Sequence, residues 1–202
     1  MLAAKVDFEH LNAGPCRYTA TAVDLETGDD VVFDSSERRI EADHVRASAA
    51  LPVLFPPVEI DGRWLIDGGV SANLALDPFF ASPPVRPTLC LAADLLPRAQ
   101  ALPRTLTEAA CRMQDLIFAA QSRRSLARWR ESYASHREPS LTLATLTYAE
   151  QGAEVVGKAL DFSSGTLDAR WRKGRETVEA FLRLVREDGV ALDGPGLQIV
   201  ER

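Results

Sequence analysis

The chain has 202 residues, of which 46% are hydrophobic and 26% charged, with a net charge of −6. That composition is too apolar for a disordered chain, and its acidity excludes a general nucleic-acid binder, whose affinity comes from neutralising phosphates. No apolar run nears the roughly 20 residues of a membrane span, and the N-terminus lacks the basic-then-apolar layout of a signal peptide.

The charge is uneven. Residues 1–97 carry 7 basic and 15 acidic groups, residues 98–137 carry 8 and 3, and residues 138–202 carry 8 and 11. A basic island thus sits inside an acidic chain. The three cysteines, Cys16, Cys90 and Cys111, have no metal-ligand spacing, and their number fits a reducing compartment, so a cytoplasmic protein is expected.

In chain order, Arg17 to Val23 and Val31 to Phe33 read as two strands joined by a loop in which Gly28 supplies a positive φ. Glu41 to Ala50 reads as a short helix that Pro52 stops. Val58-Glu59-Ile60 and Arg63 to Ile66 form a hairpin around the type I′ pair Asp61-Gly62. The second strand runs directly into Asp67-Gly68-Gly69. Residues 88–93 read as a buried strand, with Cys90 an inert thiol inside it. Thr105-Leu106-Thr107-Glu108 fits a capping box, opening a helix to about Tyr133 whose apolar positions recur at helical spacing. Leu141 to Tyr148 alternates as a half-buried strand, and a last helix spans about Leu167 to Val185, with Gly189 as its stop. Interleaved strands and helices argue an α/β or α+β fold.

From pattern alone, Asp67-Gly68-Gly69 reads either as a tight turn or as a strand-end carboxylate that orients a nucleophile from another segment. No His or second carboxylate stands beside it at ligand spacing, so a metal site is not expected.

The stretches Val6 to Gly14, Ala22 to Gly28, Val45 to Gly62 and Asp67-Gly68-Gly69 resemble, in order and spacing, the second half of a patatin-like phospholipase domain. The resemblance covers about residues 5–95, and the rest looks like the C-terminal extension of a bacterial subgroup. It implies an α/β fold, a partial patatin-like (α/β-hydrolase-related) sheet flanked by helices, with an α+β extension. The implied domains are residues 1–97 and 98–202. It further implies a lipid acyl hydrolase using a Ser–Asp dyad without histidine, with Asp67 inheriting the aspartate role and Gly68 and Gly69 shaping its loop. No cofactor or metal is implied. The family's serine sits in a G-x-S-x-G elbow, near a glycine-rich loop that supplies oxyanion donors.

No serine of the 202 residues stands in G-x-S-x-G; Gly69-Val70-Ser71-Ala72-Asn73 comes nearest. The isolated chain is therefore expected to be inactive, completed by a complementary N-terminal chain or acting as an inactive lipid- or partner-binding module. Asn73-Leu74-Ala75 also departs from the proline the family shows there. Ser48 reads as a packed small residue, and His10, His44 and His136 read as surface or helix-end residues. The basic island, with Arg112, Arg123, Arg124, Arg128 and Arg130, reads as a solvated helix face or as a peripheral contact with anionic lipid. The expected substrate is a lipid ester; nucleic acid is not an expected partner.

Overall fold

A computed structural model describes residues 2–94, 100–135, 141–147, 163–187 and 196–201. The chain divides into two units, Met1–Ala81 and Ser82–Arg202.

In the first unit, β1 (Thr19–Asp24) pairs antiparallel with β2 (Asp30–Asp34), as the alternating residues require. Gly28 takes a φ of 78° in the connecting turn, and the Asp24 carboxylate accepts the N–H groups of Glu26 and Thr27 at 3.0 and 3.4 Å. β3 (Val58–Ile60) and β4 (Arg63–Asp67) form the expected hairpin. Asp61 and Gly62 have φ values of 53° and 76°, the two positive values of a type I′ turn. The strand order is β2-β1-β4-β3, all antiparallel.

One face of this sheet builds the core. Ala20, Ala22, Val31, Phe33 and Leu65 pack with Ile40, Ala47 and Ala50, and α1 (Phe8–Ala13) adds Phe8 and Leu11 at the margin. Burying a side chain such as Phe33 or Ile40 contributes about 1.5–3 kcal/mol. α2 (Ala42–Ala47) matches the expected short helix, and α4 (Asp77–Phe80) lies near the end of this unit. His44 lies at its start, as a helix-end residue, but it is buried: its Nδ1 accepts the Glu41 N–H at 2.8 Å and its ring lies 4.5 Å from Phe33. The buried Asp34 carboxylate accepts from Arg17 Nε at 2.7 Å and from the Ser36 N–H and hydroxyl at 2.9 and 2.6 Å. The Arg17 guanidinium first, and then the two Ser36 donors, hold it well below the usual carboxylate range.

The second unit alternates strand and helix. β5 (Thr88–Asp94), α5 (Leu106–Tyr133), β6 (Leu141–Thr147), α6 (Ser164–Glu187) and β7 (Leu197–Glu201) give a parallel sheet of order β5-β6-β7. The expected boundary after residue 97 differs from the division after Ala81, because β5 pairs along its whole length with β6. The Thr105–Glu108 capping box opens α5 as its spacing requires, with Glu108 N–H donating to Thr105 Oγ1 at 3.1 Å.

Burial of the strands is exchanged relative to expectation. β6, expected half-buried, is the central strand, and Leu141 to Thr145 are all buried. β5, expected buried, is an edge that leaves Leu89 and Leu91 exposed and Cys90 half-buried. Central position, rather than apolar content, decides which strand is covered on both faces. Tyr148 and the expected stop at Gly189 lie outside the described residues.

Candidate active-site aspartate

β4 delivers Asp67 to the end of an interior strand, where it pairs with Ala22 of β1. Its backbone N–H donates to the Ala50 carbonyl at 3.0 Å, which ties the loop after α2 to the site. The chain then turns into α3 (Gly69–Ala72), and the Gly69 N–H donates to Asp67 Oδ1 at 2.8 Å. Among the described residues this is the only side-chain hydrogen bond of Asp67, leaving Oδ2 without a protein donor. Burial pushes the Asp67 carboxyl above the ordinary aspartate value, and the Gly69 N–H only partly offsets that rise. A half-buried carboxylate with a raised pKa is a better proton acceptor near neutrality than an exposed one.

The two glycines differ in how closely their surroundings approach. At Gly68 a Cβ would lie 2.4 Å from Thr21 Oγ1 and 2.6 Å from the Thr21 carbonyl oxygen. Only a residue without Cβ lets the loop cross β1 this closely. At Gly69 a Cβ would come within 3.1 Å of Asp67 Oδ1 and 3.3 Å of Asn73 Oδ1, crowding the carboxylate itself.

A cleft of about 370 Å³ opens beside the loop, its walls including Arg17, Thr21, Asp34, Gly68, Ala72 and Asp77. Thr21, Ala50 and the cleft carried no local sequence signal, since each joins the site through a long-range contact. Ser71 is exposed on α3, and its N–H donates to the Gly68 carbonyl at 3.1 Å. Ser48 is half-buried at the end of α2, where its N–H donates to the His44 carbonyl at 3.2 Å. Neither serine hydroxyl bonds to Asp67. His10 is exposed on α1, His44 belongs to the core, and His136 lies outside the described residues. Arg112, Arg123, Arg124, Arg128 and Arg130 of the basic island stand on α5, in the second unit. Among the described residues no group of three or more His, Cys, Asp or Glu could hold a metal ion. None of their helices is long and apolar enough to cross a membrane.

Residues 3–80 match the family model Patatin-like phospholipase. The patatin-like segment therefore takes in β1 to β4, Asp67 and both glycines of its loop. Among curated proteins, the uncharacterized NTE family protein Mb1092c of Mycobacterium bovis (strain ATCC BAA-935 / AF2122/97) is 41% identical over 81 residues. The uncharacterized NTE family protein Rv1063c of Mycobacterium tuberculosis (strain ATCC 25618 / H37Rv) has the same identity over the same length. The match takes in 40% of this chain and 19% of each relative, so it spans about a fifth of their length.

Proposed function

We propose that the patatin-like segment supplies the aspartate half of a Ser–Asp acyl hydrolase acting on a lipid ester. The observation that carries this reading is Asp67: a half-buried carboxyl at a strand end, oriented through Oδ1 by the Gly69 N–H and raised in pKa by burial. Its free Oδ2 is the atom to receive a proton. The serine hydroxyl would attack the ester carbonyl carbon as its proton passes to Asp67. Collapse of the tetrahedral intermediate expels the alcohol, which takes that proton, and leaves an acyl-serine. Water then attacks the acyl-serine with Asp67 again accepting a proton, releasing the acid and restoring the hydroxyl. No cofactor enters these steps.

The serine comes from outside these 202 residues, because no G-x-S-x-G occurs among them. Mixing or fusing the chain with a patatin-like segment that carries G-x-S-x-G should generate p-nitrophenyl ester hydrolysis and fluorophosphonate labelling of that serine. Asp67→Asn should then lower the rate by about 10²–10⁴-fold, the usual contribution of a positioned base. Activity that survives Asp67→Asn would refute the reading.

The same missing motif supports a second reading, a catalytically inactive patatin-like module that binds lipid or a complementary chain. It predicts stable association with the serine-bearing segment and no hydrolysis.

A further inference from the structure

His44 is 4% exposed, and no step proposed for Asp67 uses it. Its ring lies 4.5 Å from the buried Phe33, and its Nδ1 accepts the Glu41 N–H at 2.8 Å, which closes the start of α2. From α2 a run of backbone bonds leads to Asp67. The His44 carbonyl accepts the Ser48 N–H at 3.2 Å, and the Ala47 carbonyl accepts the Ala50 N–H at 3.1 Å. The Ala50 carbonyl in turn accepts the Asp67 N–H at 3.0 Å. Ala47 and Ala50 are buried in the same core as Phe33. α2 has six residues and docks through His44 and Ala47, whereas the four strands beneath it are tied by continuous pairing. The short helix is therefore the element to open first when His44 loses its place.

The charges around the ring decide when that happens. Arg38, between β2 and α2, pairs with Asp61 of the β3–β4 turn at 3.1 Å and lies 5.5 Å from the Phe33 ring centre. Asp43 and Arg46 of α2 pair with each other at 2.6 Å on its exposed side. Burial first, and the Arg38 charge next, lower the pKa of His44 from 6.5 and outweigh the carboxylates of Glu41 and Asp61. A proton on Nδ1 would set two donors, the ring and the Glu41 N–H, against each other. The charged ring then has neither its acceptor role nor water, and must leave the core. We propose that His44 is a positioning residue for Asp67: its neutral ring keeps α2 docked, and docked α2 keeps the Ala50 carbonyl on the Asp67 N–H. Protonation undocks α2 and frees the strand end that carries the carboxyl. The inference rests on the reading of Asp67 as the base, to which it adds a proton-controlled hold.

Amide exchange of the full chain, followed residue by residue from pH 7.5 to 5 and expressed relative to an unstructured amide, tests it. The undocked state takes up a proton at the ordinary 6.5 and the docked state at a lower value, so undocking becomes easier as pH falls. Protection of the Asp67 and Ala50 amides should fall about tenfold per pH unit below 6.5 and level off beneath the folded value of His44. Protection in the β1–β2 ladder should change less. Asp67→Asn should keep this slope, and His44→Gln should remove it. A slope that survives His44→Gln, vanishes in Asp67→Asn, or is equally steep in the β1–β2 ladder would overturn the proposal. Should His44→Gln fail to fold, the imidazole titration of the unsubstituted chain, followed by 15N shifts, decides instead: it must share its midpoint with the levelling of Asp67 protection, and separate midpoints overturn the proposal. Ester hydrolysis that survives Asp67→Asn in the mixed enzyme would refute Asp67 as the base without moving these exchange rates, so the two failures are told apart.

Discussion

Gly68 approaches Thr21 so closely that a Cβ at position 68 would lie 2.4 Å from the threonine hydroxyl oxygen and 2.6 Å from its carbonyl oxygen. The hydroxyl could rotate away, but the carbonyl belongs to β1 and has no such freedom. Gly68→Ala should therefore force the loop off the strand and lower stability by about 1–3 kcal/mol, the usual cost of overpacking. Urea denaturation measures this, and an unchanged midpoint would show that the crossing is looser than described. Gly69→Ala meets only 3.1 and 3.3 Å contacts to the Asp67 and Asn73 side-chain oxygens, so its stability loss should be smaller.

The pH dependence of Asp67 carries a sign that separates function from stability. Its folded pKa lies above the ordinary 3.8, so between those two values the folded chain holds a proton that the unfolded chain has released. The stabilisation linked to that proton is complete below 3.8 and is lost as pH rises through the folded value. At neutral pH the ionised, half-buried carboxylate is therefore a burden. Asp67→Asn should raise the melting temperature at pH 7, with the gain shrinking toward pH 4. A lower melting temperature at pH 7 would contradict the burial that raises this pKa.

His44 acts in the opposite direction. Burial lowers its pKa from 6.5, and its Nδ1 must stay unprotonated to accept the Glu41 N–H. The unfolded chain binds a proton first, so stability falls as pH drops below 6.5 and levels off beneath the folded value. Thermal scans from pH 7.5 to 5 should show this decline. His44→Gln should flatten it, even if the variant starts less stable. A slope identical in the two proteins would remove His44 as its source.

The hairpin turn offers a calibrated backbone test. Gly62 has a φ of 76° with nothing within 4 Å of a hypothetical Cβ, so Gly62→Ala carries only conformational strain. A loss of about 1–2 kcal/mol is expected for a non-glycine residue in the left-handed region. Denaturant titration would expose any larger effect, which would mean that the turn does more than reverse the chain.

Local chemistry explains what could be read from the sequence. Asp61-Gly62 specified the β3–β4 hairpin and Thr105–Glu108 specified the start of α5, because each signal is complete within four residues. Asp67 was legible for the same reason, as the residue where a strand meets two glycines. Which strand becomes central was not, since Leu89 and Leu141 sit in similar apolar runs and differ only in having one or two neighbouring strands. The orientation of α5 was also hidden: apolar spacing marks a stripe, but the sheet decides which stripe it covers, and here it covers the one containing Asp115 and Ser122. The Gly68–Thr21 approach joins residues 47 positions apart, beyond any local pattern.

The bond from the Asp67 N–H to the Ala50 carbonyl has a consequence for exchange with solvent. The amide sits at the end of a strand flanked by β1 and β3, and its acceptor belongs to the residue following the buried α2 region. Releasing it requires the segment after α2 to separate from the sheet, so in deuterated water it should be among the slow amides of the first unit. The amides of Glu26, Thr27 and Gly28 differ in bonding only within their own turn, to Asp24. A protected amide at Asp67 would mean that its carboxyl group is held in place for as long as the sheet around it stays folded.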